Sequence, residues 1–184
     1  MDVSLVIAII LVLVVVYVIL QYNRLIRLKI TVDEAFAQIE VQLKRRADLI
    51  PNLVESVKGY AAHEKEAFEK VVAARAASTA ASTIPAVAAA DGMLSNALRG
   101  LLAVAEAYPD LKASTNFLQL QEELATTENK VSFSRQFYND SVRNLNTAIA
   151  TIPTSFFVGV AKVSQRQFYE VDDATARNTP DVRF

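Results

Sequence analysis

Eighteen consecutive residues, Val3 to Leu20, carry no charge, no glycine and no proline (VSLVIAIILVLVVVYVIL). A helix that is apolar on every side has no face to turn to water. The hydrocarbon core of a bilayer is crossed by about 20 such residues, each rising about 1.5 Å. Tyr17 lies near one end of the run, at the depth where aromatic rings rest among headgroups, and Gln21, Tyr22, Asn23 and Arg24 close it. The run reads as a transmembrane helix. A cleaved signal peptide needs a basic start, a shorter apolar core and a small-residue cleavage site. Here the only charges before the run are the amino terminus and Asp2, and the exit QYNRLIRLK offers no such site. Arg24, Arg27 and Lys29 come soon after it, and positive flanks stay in the cytoplasm. The expectation is a single-pass membrane protein with its amino terminus outside and the remainder cytoplasmic.

The chain has 184 residues, so the part beyond the run amounts to one ordinary domain. Nineteen basic residues face 20 acidic ones, a net charge of −1, which speaks against a nucleic-acid partner. With no Cys, one His and no Trp, thiolate metal sites, disulfides and cysteine nucleophiles are excluded. The four glycines form no phosphate-binding loop. Abundant Ala, Leu, Glu, Gln and Lys favour helix throughout.

From Ile30 to about Ala77 apolar residues recur at steps of three and four: Val32, Ala35, Phe36, Ile39, Leu43, Ala47, Ile50, Leu53, Val54, Val57, Ala61, Phe68, Val71 and Val72. Thr31 and Glu34 form a candidate capping box, unless the helix runs straight on from the membrane. Pro51 removes a backbone bond and crowds the preceding turn at a cost of about 3 kcal/mol, which predicts a kink or short break near Asp48–Pro51. Ser78 to Ala90 (STAASTIPAVAAA) reads as a loop or hinge with partial helix after Pro85. Asp91 is then the expected N-cap of a helix from Gly92 to Ala107 with a face of Leu94, Leu98, Leu101, Leu102 and Ala105. Tyr108-Pro109 ends it.

The next helix opens at Ser114 or Thr115 and runs to about Ala150, with a stripe continuing through Phe117, Leu120, Leu124, Val131, Tyr138, Val142, Leu145, Ile149 and Ile152. After Pro153 a short apolar helix is expected from Ser155 to about Phe168, carrying Phe156, Phe157, Val160 and Val163. The organisation that results is a transmembrane anchor over residues 1–23, a helical bundle domain over 24–169, and an extended or partly disordered tail over 170–184. The fold class is all-α, with the N-terminal transmembrane helix followed by an elongated antiparallel four-helix bundle.

Three stretches carry a family resemblance. Tyr22–Ala76 contains LKRRADLIPNLVE (Leu43–Glu55), Leu118–Phe157 contains SRQFYNDSVRNLN (Ser134–Asn146), and FYEV stands at Phe168–Val171. These resemble the LemA family over nearly the whole chain. Ser134-Arg135 stands where Ala-Arg is common in that family, and the Arg is kept. The resemblance implies a single-pass bacterial membrane protein with a long four-helix bundle and no established enzymatic activity; one branch of the family is associated with magnetosome membranes.

Candidate chemistry is sparse. Glu128, Ser132, Arg135, Asn139 and Asn146, with Tyr138 among them, stack along one edge of the long helix. They read as a hydrogen-bonded layer fixing helix register, or as a ligand or partner site; Arg135 has Glu128 or a carboxylate of the first helix as its candidate partner. Lys44, Arg45, Arg46 and Asp48 beside Pro51 read as a solvated face with one interhelical ion pair, or as a docking patch. His63 with Glu66 or Glu69 is ordinary surface helix rather than a metal site, because no second His and no Cys support it. Glu122-Glu123 is a solvated face. No catalytic triad or carboxylate pair can be assembled, and no cofactor or metal is expected. The expected function is a non-enzymatic, membrane-anchored scaffold or adaptor, bound to the bilayer through Val3–Leu20 and to copies of itself or to other membrane proteins. Ala73, Ala74, Ala76 and Ala77, and Ala86 to Ala90, would allow close approach between chains. The alternative is a tethered sensor or regulator that binds a peptide or small ligand at the Arg135–Asn139 layer.

Overall fold

A computed structural model describes residues 2–171. All regular structure among them is helical: α1 (Val3–Lys58), α2 (Lys65–Ala80), α3 (Ile84–Glu106), α4 (Pro109–Lys112), α5 (Thr115–Ala150), a 3-10 turn (Thr154–Phe157) and α6 (Val158–Ala161). The chain divides into two compact units, one made of residues up to Gln38 with Ser134–Phe168, the other of Ile39–Phe133 with the chain from Tyr169.

In the first unit α1 passes without interruption from the apolar run into residues buried by the protein itself. Leu25, Val32 and Ala35 on α1, Tyr138, Val142, Leu145 and Ala148 on α5, and Ala161 and Val163 beyond it are all buried, and the Phe36 ring of α1 packs on that of Tyr138. No linker separates the membrane-length stretch from this core. Thr31 is therefore not a helix cap. Its hydroxyl donates to the Arg27 carbonyl one turn back, at 3.0 Å. The apolar run is unburied along its length, and α1 is the one helix among the described residues long and apolar enough to cross a membrane.

In the second unit one apolar core is shared by Ile50, Leu53, Val54 and Val57 of α1, Phe68, Val71 and Ala74 of α2, Leu94, Leu98 and Leu101 of α3, Leu111 of α4, and Phe117 and Leu124 of α5. Most of the predicted stripe is thus inward, although Val72 is exposed. The break in the first stripe falls at 59–64, after Lys58, and α1 continues as helix through Pro51. The chain compensates for the missing Pro51 N–H. The carbonyl that this group would have met is that of Ala47, four residues back, and the Arg75 Nε of α2 donates to it at 2.8 Å. Arg75→Ala is expected to cost about 1–2 kcal/mol by leaving that acceptor unpaired. In a Pro51→Ala background, where residue 51 supplies the N–H itself, the same change is expected to cost markedly less; a urea double-mutant cycle measures the difference.

The stretch with loop-like composition is mostly helix. α2 runs to Ala80 and α3 starts at Ile84, with Thr83 as N-cap (its hydroxyl accepts from the Ala86 N–H at 3.4 Å) and Pro85 in the first turn. Proline there starts a helix instead of ending one. Asp91 accordingly lies inside α3 and is not a cap. The small residues have an internal use, since α2 packs against α3 and Ala74, Ala88 and Ala90 are buried. The last helix is shorter than its apolar residues suggest. It ends at Ala161, where Lys162 turns left-handed (φ 50°), and residues 163–171 carry no regular structure. Of the tail predicted over 170–184, only Glu170 and Val171 lie within the described residues.

Candidate functional site

The most concentrated polar chemistry lies inside the second unit. Arg46 on α1 and Asp91 on α3 are both buried, with side-chain exposures of 5% and 0%. Arg46 Nη1 donates to Asp91 Oδ1 at 3.0 Å and to the Ser95 hydroxyl at 3.1 Å. Its Nη2 meets Glu128 Oε2 of α5 at 2.8 Å. The Tyr169 hydroxyl donates to the other Asp91 oxygen at 2.9 Å. A planar guanidinium presents donors in several directions at once, which a lysine ammonium on a flexible stem does not reproduce in this geometry. One buried cation thereby joins three helices and the residue that begins the C-terminal segment. At Gly92, next to Asp91, a Cβ would lie 3.3 Å from Val171 Cγ1, so the segment passes close to α3 here.

The two groups predicted from sequence are distributed differently. Of the expected docking patch, Lys44, Arg45, Asp48 and Pro51 are exposed, whereas Arg46 is buried and engaged in the cluster just described. Lys44 and Asp48 of the exposed part line a groove of about 350 Å³ together with Ala47 of α1, Ser78 and Thr79 of α2, Ala81 just after it and Val87 of α3. Of the expected layer on α5, Glu128 belongs to the second unit as the partner of Arg46, while Arg135, Tyr138, Asn139 and Asn146 belong to the first. Ser132 is exposed, and Arg135 and Asn139 are half-buried. Glu122 is exposed and Glu123 half-buried.

Tyr138 and Asn146 hold the chain's own backbone. The Asn146 side chain donates to the Arg166 carbonyl and accepts from the Arg166 N–H, both at 2.9 Å, as a neighbouring β-strand would. The Tyr138 hydroxyl donates to the Gln167 carbonyl at 2.8 Å, and its ring lies 5.7 Å from that of Phe36. Arg166 Nη2 reaches Asp33 Oδ1 at 2.7 Å. Burial pushes the Tyr138 phenol above its usual pKa; the Arg166 guanidinium opposes the shift and Asp33 adds to it.

His63 is exposed and sits in the turn between α1 and α2, not on a helix. Glu66 is drawn below its ordinary pKa by the hydrogen bond and charge of Lys70 one turn on. Among the described residues no group of three or more His, Cys, Asp or Glu is placed to hold a metal ion.

Sequence reasoning misses Asp91 and Tyr169 as site residues. A signal is present in each case: a lone acid within the apolar run of α3, and the tyrosine of the FYEV motif. The Arg46 motif, the Tyr138 motif and FYEV all contribute buried, hydrogen-bonded side chains, and the arrangement as a whole fastens helices and a terminal segment to one another.

An all-helical chain with one membrane-length apolar helix and buried polar fastenings is a structural class, and comparison narrows it to a family. A sequence model of the LemA family matches residues 35–184, and the chain belongs to that family. It is 26% identical to the protein LemA of Metamycoplasma hominis, over 85% of this chain and 75% of that one. It is 23% identical to the magnetosome protein MamQ of Magnetospirillum gryphiswaldense, over 89% of this chain and 69% of that one. Similarity to MamQ 2 of Paramagnetospirillum magneticum is 22% over the same shares.

Proposed function

We propose that this protein is a membrane-anchored helical scaffold without catalytic activity, whose chain beyond the anchor folds as an antiparallel four-helix bundle. The observation that carries the reading is the continuity of α1. The helix that carries the uncharged run Val3–Leu20 continues unbroken into buried Leu25, Val32 and Ala35. A domain joined to its anchor by packed helix, with no flexible linker, is held at a set distance from the bilayer. That suits a part that positions neighbours, whether copies of itself or other membrane proteins. The hydrogen bonds that Arg46, Asp91, Tyr138 and Asn146 make to other parts of the chain support a fastening role for these polar groups. Magnetosome proteins among the relatives fit a place at a membrane. Arg24, Arg27 and Lys29 favour an amino terminus outside and a cytoplasmic domain.

The test is crosslinking in native membranes, with identification of the captured neighbours, beside light scattering of the detergent-solubilised full chain. The expected result is self-crosslinked species or a recurrent membrane-protein neighbour, and a protein that stays in the pellet through carbonate extraction. Release by carbonate would overturn the anchor. A monomer at every concentration with no recurrent neighbour would overturn the scaffold.

A further inference from the structure

The stretch from Ile152 to Ala161 is apolar on the wrong side for a protein surface in water. Thr154 and Ala161 are buried, and Phe157 and Val158 are half-buried. Three large apolar side chains are left out: Ile152 is 76% exposed, Phe156 72% and Val160 71%. They come at steps of four, Ile152 just before the 3-10 turn, Phe156 within it and Val160 in α6, and all three are open to the surroundings. From the sequence, Ile152 closes the apolar stripe of the long helix, and Phe156 and Val160 belong to a short apolar helix. Clustered exposure of this kind marks a surface that something apolar covers.

The stretch is fixed beside the end of the apolar run of α1. The Phe157 ring meets the Tyr17 ring edge-on, with centroids 6.4 Å apart, and the Thr154 hydroxyl donates to Gln21 Oε1 at 3.2 Å. Tyr17 is three residues inside Leu20, which is about 5 Å along the helix axis toward the middle of the run. An element touching Tyr17 therefore lies level with the boundary between headgroups and acyl chains, the depth of about 5–10 Å at which interfacial amphipathic elements rest. Lys162 comes immediately after, exposed, with a stem long enough to reach lipid phosphate.

We propose that Ile152, Phe156 and Val160 form a second, interfacial contact with the same bilayer that α1 crosses. The proposal rests on the anchor reading and deepens it. A lone spanning helix can tilt and rotate about its axis. A second apolar foothold from a distant part of the chain removes those freedoms and sets the angle at which the first unit leaves the membrane. The occupant is lipid because Phe157 and Thr154 fix the stretch against Tyr17 and Gln21, at the end of the apolar run that α1 leaves unburied.

The chain contains no tryptophan, so one introduced indole reports its own site. Full-length Phe156→Trp, Leu11→Trp in the span and Phe133→Trp, where the native ring is 75% exposed on α5, are each reconstituted into phosphatidylcholine–phosphatidylglycerol vesicles. Emission is compared without brominated lipid and, in separate preparations, with lipid brominated near the top or near the end of the acyl chain. Phe156→Trp is expected to emit at shorter wavelength than Phe133→Trp and to lose a large part of its intensity to the brominated lipid. Strong quenching of Leu11→Trp with none of Phe156→Trp overturns the proposal and leaves the anchor standing. Quenching of neither removes the anchor and this contact together. A blue-shifted Phe156→Trp that bromine leaves unquenched would show that a second protein copy covers the face, and would likewise overturn the proposal.

Discussion

Asp91→Ala is expected to destabilise the full chain by about 3–5 kcal/mol, because it leaves the Arg46 guanidinium buried without its most enclosed countercharge. Thermal or urea unfolding followed by helical circular dichroism measures it. The companion Glu128→Gln removes the other carboxylate from the same cation but is expected to cost less than about 1 kcal/mol, since the Glu128 side chain is 41% exposed and water replaces much of the lost interaction. Replacing both buried partners, Arg46→Met with Asp91→Leu, is expected to recover much of the Asp91→Ala loss. An apolar pair of similar size needs no countercharge, and breaking a buried pair is costlier than dispensing with it. A loss below about 1 kcal/mol for Asp91→Ala would show that the cluster does not act as the fastening described.

Tyr138→Ala is the second large effect, about 3–5 kcal/mol, the range for emptying the site of a fully buried aromatic ring. Tyr138→Phe keeps the ring against Phe36 and removes only the hydroxyl bonded to the Gln167 carbonyl, for about 1 kcal/mol. The same pair separates packing from ionisation. The phenol's pKa is raised in the folded chain, so the folded state holds its proton more tightly than the unfolded one. The stability this contributes is fully present below the unfolded value of about 10 and is lost as pH rises through the higher folded value. Wild type is therefore expected to lose stability more steeply than Tyr138→Phe above about pH 10, and unfolding midpoints across that window check it.

Several elements are legible in the sequence because their cause is local. The bounds of α5 come from a helical period that opens near Ser114 and closes before Pro153, and the structure places them at Thr115 and Ala150. Pro51 is legible as a defect but not in its resolution, because the donor that makes up for it, Arg75, comes from another helix. Pro85 reads locally as a breaker yet serves as a first-turn residue, since proline is compatible with helix only at its start and periodicity over small residues does not locate that start. Residue type alone points Asp91 to a helix end. Its actual place depends on Arg46, 45 residues earlier in the chain. Asn146 stands out by its spacing on α5, while the backbone it holds, that of Arg166, is contributed by a segment with no periodicity of its own.

The sequence by itself determined the helical class, the membrane-length apolar run and the family, because composition, period and motif are properties of neighbouring residues. Tertiary structure alone decided that Arg46, Asp91 and Tyr169 face inward together and that Ile152, Phe156 and Val160 face outward. The physical reason is that burial depends on what packs opposite. A charge enters a core only where its partner is already placed, and an apolar side chain remains outside where the element beneath it is satisfied by smaller groups.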